Sequence, residues 1–316
     1  MKSQAELHSH QKISTTASKE RKPRFKGWQE TLAGYVFIAP MLIGVTCLTL
    51  FPILASIFLS FTDWNFITGF KGFNFIGLDN FKKLFSDPVF LKSLTNNVVI
   101  LLVVPIGLFI SLILAVIINK HVYLKDFFKV IYFMPYISSV VAVAIVFQVL
   151  FHPTKGPVNQ FLMSIGIDDP PKWIADVNFA LPSVMIILIW THIGFQLIIY
   201  LAGLQNIPKE LYEAADIDGA TAWYKFRKIT IPLVSPTTFL LLVTGLIGSF
   251  KVFDLIVVLT NGGPANSTSL PVFYLYEQAF VELRTGYAST IALVIFALIL
   301  LITVFQWLGQ KKWVNY

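Results

Sequence analysis

The chain has 316 residues, 56% of them hydrophobic and only 13% charged, with a mean hydropathy of +0.72 and a formal net charge of +7. A water-soluble domain carries about a quarter charged residues, so much of this chain is expected to contact lipid. Length-based counts of soluble domains therefore do not apply.

In chain order, residues 1–30 form a basic tail with Lys2, Lys12, Lys19, Arg21, Lys22, Arg24 and Lys26. A basic cluster beside a membrane span sets topology and touches anionic lipid, which explains this tail better than a nucleic-acid arm. Its first 22 residues are polar and read as disordered. The tail holds no apolar signal-peptide core, so the first span is expected to be an uncleaved anchor. Six charge-poor apolar stretches follow, within residues 31–310. A bilayer-crossing helix needs about 20 apolar residues, and lipid offers the backbone no hydrogen-bond partner. Helices are therefore expected near 33–61, 94–118, 130–151, 180–204, 234–259 and 286–309. Strand-length alternation of the membrane-barrel kind is absent. The fold class read here is an all-α polytopic membrane protein with six transmembrane helices. The single cysteine, Cys47, lies in the first span and reads as a small packing residue.

The loops differ in character. In the first, from 63 to 92, Trp64 and Phe66 fit an interfacial aromatic belt, whereas Phe70, Phe73, Phe75 and Phe81 fit a belt or a small folded cap. The third, His152–Asn178, holds Pro153, Pro157, Pro170 and Pro171 and predicts turns and short helices. The fifth contains TNGGPANSTS, Thr260–Ser269, where Gly262-Gly263-Pro264 predicts a turn. Besides the tail, Lys120, Lys125, Lys129, Lys209, Lys225, Arg227, Lys228, Lys311 and Lys312 fall on one side of the expected membrane. The other side holds only Lys71, Lys82, Lys83, Lys92, Lys155, Lys172 and Arg284. The rule that cytoplasmic loops carry the excess of Lys and Arg then predicts that both termini, and the 206–232 loop, are cytoplasmic.

That loop reads ELYEAADIDGATAWYKFRKITIPLV from Glu210 to Val234. Pro208 suits a first helical turn, Glu210 and Glu213 favour the helix dipole, and Gly219 ends the helix. A second short helix, near Thr221–Ile229, brings Trp223 and Phe226 to one face, and Pro232 opens the fifth span. Ala214 and Ala215 add no bulk, so the first helix could approach another surface closely. The competing reading is an amphipathic helix resting on headgroups.

The run Glu213-Ala214-Ala215, Asp218-Gly219-Ala220, Ile229 and Ile231-Pro232 resembles the EAA loop of ABC-importer permeases; Ile231 stands where leucine is common. YVFIAPMLIG at 35–44, SFTDWN at 60–65 and VFDLIVVLTNGGPANST at 252–268 resemble the sugar branch, the family of the maltose-transporter permeases. The resemblance covers nearly the whole chain from about residue 32. It implies a type I importer fold, with residues 206–232 docking as coupling helices on a cytoplasmic ATPase dimer. Glu213, Ala214, Ala215, Asp218, Gly219, Ala220, Phe226, Ile229 and Pro232 would form that coupling element. It also implies a second, related permease subunit and an extracytoplasmic solute-binding protein, towards which Asn261, Gly262, Gly263 and Pro264 could face.

Ionisable and polar groups inside spans are functional suspects. Lys251 and Asp254 are three apart, on one face of the expected fifth span; they read as a structural ion pair or as pathway lining. His192, Gln196 and Tyr200 recur at i, i+4 and i+8 and form one polar stripe, lining a pathway or satisfied in the core. Trp190 and Phe253 could cover apolar sugar faces or face lipid. The sequence has no GxxxxGK[ST] loop, so ATP and magnesium are expected on a separate ATPase, with no cofactor, metal site or catalytic residue on this chain. The function expected is the permease subunit of an ATP-driven, binding-protein-dependent importer of a sugar or oligosaccharide, in a bacterial or archaeal cytoplasmic membrane. The alternatives are a permease of the same family for another polar solute, such as a glycerol phosphate ester, or an ion-coupled carrier.

Overall fold

Apolar segments become helices throughout, and the breaks fall where proline, glycine or a polar residue interrupts them. The computed structural model describes residues 28–314 except 68, 70, 71, 73 and 122. The basic tail from Lys2 to Lys26, and Phe70, Lys71 and Phe73, lie outside the described residues. The only strand-like pairing among the described residues is an isolated Thr62–Phe75 bridge.

The chain divides into two compact units, Met1–Ile53 and Leu54–Tyr316. The first holds α1 (Gln29–Val45) and a π turn at Thr46–Leu50, and the boundary falls within the helix α2 (Phe51–Leu59) that follows. The result is one apolar helix, Thr31–Leu59, 29 residues long. Its side chains lie uncovered, with Phe37 86% and Leu48 80% exposed. A helix apolar on all sides suits lipid.

In the second unit, α3 (Asp79–Phe85) leads to α4 (Pro88–Ile100) and α5 (Val103–His121). The last two form one apolar run, Pro88–Asn119. Asp87 caps α4 by accepting from the Val89 and Phe90 amides at 2.9 and 3.3 Å, and Pro88 occupies the first turn. Then come α6 (Lys125–Ile137), α7 (Val140–Leu150), α8 (Pro157–Ser164) and the straight 26-residue α9 (Ala180–Gln205). After the 206–232 loop with α10 (Lys209–Ile217), α11 (Ala222–Lys225) and α12 (Ile231–Leu233), the chain continues as α13 (Ser235–Ser249), α14 (Asp254–Leu259), α15 (Pro271–Tyr276) and α16 (Thr285–Gln310).

Two expected spans are not single helices. Residues 130–151 fall on α6 and α7, which meet at 94°. Pro135 sits in the last turn of α6, which ends at Ile137, and Ser138 and Ser139 leave the helical region with ψ of 148° and 126°. The stretch 234–259 stops at Ser249 and restarts at Asp254, which opens α14 where a carboxylate favours the helix dipole. The approach to α13 is also bent, by 62° between Ala222–Leu233 and Ser235–Ser249. Among the described residues four helices are long and apolar enough to cross a membrane, or up to six spans if each bent pair counts as one.

Between apolar helices in lipid, close fit rather than water exclusion drives association. Helix α9 is the centre of that fit. Leu197, Leu201 and Leu204 pack with Leu108 and Leu112 of α5 and Leu241 of α13. Further along, Val184 and Ile187 pack with Val143 and Ala144 of α7 and Ile256 of α14. At Gly194 the backbones meet so closely that a Cβ would lie 1.8 Å from the Tyr132 carbonyl oxygen of α6.

Candidate functional site

Helices α5, α6, α9 and α13 enclose a cavity of about 310 Å³. Its polar lining residues are His192 and Gln196 from α9, Thr244 and Ser249 from α13, and Tyr136 from α6. Tyr136 stacks on Phe195 with centroids 4.8 Å apart and planes at 16°, and meets the His192 ring edge-on at 6.0 Å. Gly107, Gly245 and Gly248 also line it, and among the described residues no Lys, Arg, Asp or Glu does. Tyr136, Phe195, Thr244 and Ser249 were not candidates in the sequence. Tyr136 follows Pro135 at the bend after α6, a local break that could have marked it.

The expected stripe on α9 divides. His192 is exposed and lines the cavity, with Nδ1 donating to the Leu188 carbonyl at 2.8 Å. Gln196 is buried, lines the same cavity, and accepts from Ser111 Oγ at 3.0 Å. Tyr200 is 1% exposed, sits in the α5–α9–α13 core and donates to Thr238 Oγ1 at 3.2 Å. Tyr200 is thus a packed, satisfied tyrosine, because the core closes one helical turn below Gln196.

The other candidates lie outside the cavity. Trp190 packs edge-on against Phe147, 5.4 Å away, and Phe253 against Tyr276, 5.0 Å away. Lys251 and Asp254 do not share a helical face, since the break at Phe250–Phe253 separates them. The ion pairs among the described residues are Lys82–Asp79, Lys129–Asp126, Lys225–Asp216 and Arg284–Glu282, so the expected Lys251–Asp254 pair is not formed. Both residues are exposed.

The TNGGPANSTS stretch folds back on itself. Thr268 Oγ1 donates to the Gly263 carbonyl at 2.9 Å and lies 2.7 Å from Thr260 Oγ1. Asn96 of α4 donates to the Asn266 and Ser269 carbonyls, both at 2.9 Å. Gly262 is buried against Phe273, Gly263 and Pro264 are half-buried, and Asn261 is exposed. Nearby, Asp87 Oδ2 accepts from Tyr274 at 2.5 Å and Tyr287 at 2.7 Å, tying α4 to α15 and α16. Burial pushes the Asp87 carboxyl up, but the two tyrosine hydroxyls and the Phe90 and Val89 amides outweigh it and hold it below its ordinary value. Burial and the facing Asp87 carboxylate push the Tyr274 hydroxyl up.

At the other end of α9 lies the 206–232 loop. Gly219 has φ of +71° and stops α10: the Ala220 amide bonds to the Ala215 carbonyl at 2.8 Å and the Gly219 amide to the Asp216 carbonyl at 3.1 Å. This paired closure needs a residue that tolerates the left-handed region. Thr221 caps α11 through the Tyr224 amide, 3.3 Å away. Trp223 and Phe226 meet at 5.7 Å, as their spacing predicts. Glu213, Ala214, Asp218 and Gly219 are exposed, with Ile217 88% exposed beside them, and Glu213 also borders the cavity beneath α10. Ala215, Ala220 and Pro232 are half-buried, and Phe226 and Ile229 pack inward against the core beside Tyr212. The candidates thus split into an outward face on α10 and an inward anchor on the second limb.

Residues 103–312 match the family described as binding-protein-dependent transport system inner membrane component. The chain belongs to this family. A probable ABC transporter permease of Pyrococcus horikoshii is 36% identical over 276 residues, 86% of this chain and 94% of that protein. The lactose transport system permease LacF of Rhizobium radiobacter is 35% identical, over 88% of this chain and 94% of its own. Among solved structures, a chain of a bacterial alginate ABC transporter, crystallised with a periplasmic protein carrying an alginate pentasaccharide, matches with a TM-score of 0.79. It is 26% identical, and the match covers 92% of this chain and 97% of the other. The molecule is a multi-pass permease of the ABC-transporter class, and both the cavity and the 206–232 loop lie within the matched region.

Proposed function

We propose that this permease is the membrane subunit of an ATP-driven, binding-protein-dependent importer, and that it moves a neutral sugar or oligosaccharide through the α5–α6–α9–α13 cavity. The observation that carries the reading is the cavity's chemistry: hydroxyl, amide and imidazole side chains beside a stacked aromatic pair, with no lysine, arginine or carboxylate among the described residues that line it. Such a lining donates and accepts hydrogen bonds while covering apolar sugar faces. It disfavours a phosphate ester, which calls for cations. The names of the relatives, lactose and arabinooligosaccharide permeases among them, point the same way.

In this reading the chain crosses the membrane six times, counting each bent pair as one span. Residues 1–30 and the C-terminus are cytoplasmic, residues 31–310 form the permease domain, and residues 206–232 dock on an ATPase dimer that binds ATP and magnesium. The resemblance that places Asn261 to Pro264 towards the solute-binding protein now rests on Asn261, since Gly262 is buried. A second permease subunit completes the pathway. Lys251 and Asp254, unpaired with each other and exposed in this chain, are candidates to meet that subunit or the solute.

The test is to purify the complex through a tag on this chain, assay its ATPase with the binding protein, and titrate that protein calorimetrically against a panel of sugars. The expected result is one saccharide class that binds and stimulates hydrolysis. ATP hydrolysis indifferent to loaded binding protein would overturn the reading.

A further inference from the structure

Helix α10 lies across a hollow. It has no buried residue, and beneath it is a cavity of about 480 Å³ lined by Val116, Asn119, Leu204 and Gln205 as well as by α10 itself. Tyr212 packs against the α5–α9–α13 core, and two polar contacts add to that attachment. Tyr212 Oη lies 2.9 Å from Thr230 Oγ1, and Asp216 pairs with Lys225 Nζ. Tyr212 and Asp216 are four apart, on one face of α10.

Their partners sit on the limb that leads into α13. The π turn Phe226–Thr230 separates Lys225 from Thr230, and Thr230 Oγ1 donates to the Lys225 carbonyl at 3.4 Å, so Tyr212 donates to Thr230. One wide turn thus brings both partners to the side facing α10. Both contacts are sheltered on the α13 side, where the Lys225 side chain is 15% exposed and Thr230 only 2%, whereas the Asp216 side chain is 59% exposed. Shielding from water therefore strengthens the hydroxyl contact more than the ion pair. Beyond Thr230 the chain runs through Pro232 into α13, which carries Thr244 and Ser249 into the membrane cavity.

We infer that Tyr212–Thr230 and Asp216–Lys225 are positioning contacts that convey displacement of α10 to α13, and so couple the docking face to the solute cavity. Without them, α10 would swing over its hollow about Gly219, and force applied there would dissipate. The inference rests on the proposed docking of α10 on an ATPase. None of the four residues belongs to that docking set.

The experiment uses the complete transporter in proteoliposomes and measures solute moved per ATP hydrolysed, alongside ATPase recovery on purification. For Tyr212→Phe combined with Asp216→Asn, we expect normal ATPase recovery, continued hydrolysis and a fall in solute per ATP of about tenfold, within the range of ordinary coupling free energies. Exchanging the charges, Asp216→Lys with Lys225→Asp, should restore much of the ratio, which a merely structural role would not predict. An unchanged ratio in the assembled double variant overturns the inference. Failure of every variant, including Tyr212→Phe alone, to retain the ATPase also overturns it, because the contacts would then serve assembly. If the wild-type complex retains no ATPase, the docking proposal itself fails, a result distinguishable from either.

Discussion

Helices α9 and α10 are separated by three residues and held by opposite means. Helix α9 buries twelve of its 26 residues against α5, α6, α7, α13 and α14. Helix α10 buries none and is attached by a glycine stop, a hydroxyl contact and an ion pair. A helix packed on many sides resists displacement, because cores rearrange only by discrete repacking. One held by a few polar contacts at its base can shift as a unit. On the proposed function, the difference would make α9 the fixed post of the pathway and α10 the part that moves.

The sharpest way to break this contrast is to strike the post. Gly194→Val places a branched side chain against the α6 backbone, where even a Cβ would lie 1.8 Å from a carbonyl oxygen. Overpacking costs about 1–3 kcal/mol and sometimes more, and a backbone neighbour puts this case at the upper end. The expected outcome is loss of monodisperse protein by size-exclusion chromatography.

Striking the lever should leave the spans intact. Gly219→Leu puts a side chain at φ of +71°, which costs about 1–2 kcal/mol and misdirects the chain after α10. We expect normal membrane insertion, with transport and ATPase stimulation both lost. Glu213→Lys should behave alike by reversing charge on the outward face. Normal transport by either variant would count against docking there.

The cavity lies among α5, α6, α9 and α13. Replacing both His192 and Gln196 by alanine should lower transport about tenfold, equivalent to about 1.4 kcal/mol, while leaving assembly unchanged. Unaltered uptake kinetics would remove these residues from the pathway. A weaker effect is expected at Asp87, far from both. Its carboxyl is held below the ordinary 3.8, so its stabilisation is present above that value and lost as pH falls through the lower folded-state value. Thermal scans of the wild type should therefore show stability falling in acid below about pH 4. Asp87→Asn should start roughly 2 kcal/mol less stable, the scale of a hydrogen bond to a charged group, and show a flatter acid limb. The smallest effect is predicted for Tyr200→Phe, which loses one hydrogen bond worth about 1 kcal/mol and should leave transport within about twofold of wild type.

Much of the 206–232 loop was readable residue by residue, because local chemistry governs it. Gly219 stops a helix wherever one precedes it, Thr221 caps the next, and residues three apart on a helix meet, as Trp223 and Phe226 do. The fifth apolar stretch was misread for the converse reason. The apolar run is split at 251–254 but reads as one helix across the split, and the sign of the break was Asp254, a helix-opening acid that resembles an intramembrane ion-pair partner when only spacing is considered. The bend between α6 and α7 was likewise hidden by continuous apolarity, although Pro135 and two serines marked the place.

The sequence by itself determined that the chain is helical, lipid-embedded and equipped with a glycine-stopped loop, since composition, charge distribution and turn chemistry act over a few residues at a time. The tertiary structure alone decided which polar groups line a cavity. His192, Gln196 and Tyr200 share one helical stripe, yet two open on the cavity and the third is sealed between α5 and α13. Tyr136 and Phe195 come together from different helices, and Asp216 meets Lys225 across the glycine turn. Periodicity places a residue on a face; only the packing of the neighbouring helices determines what that face meets.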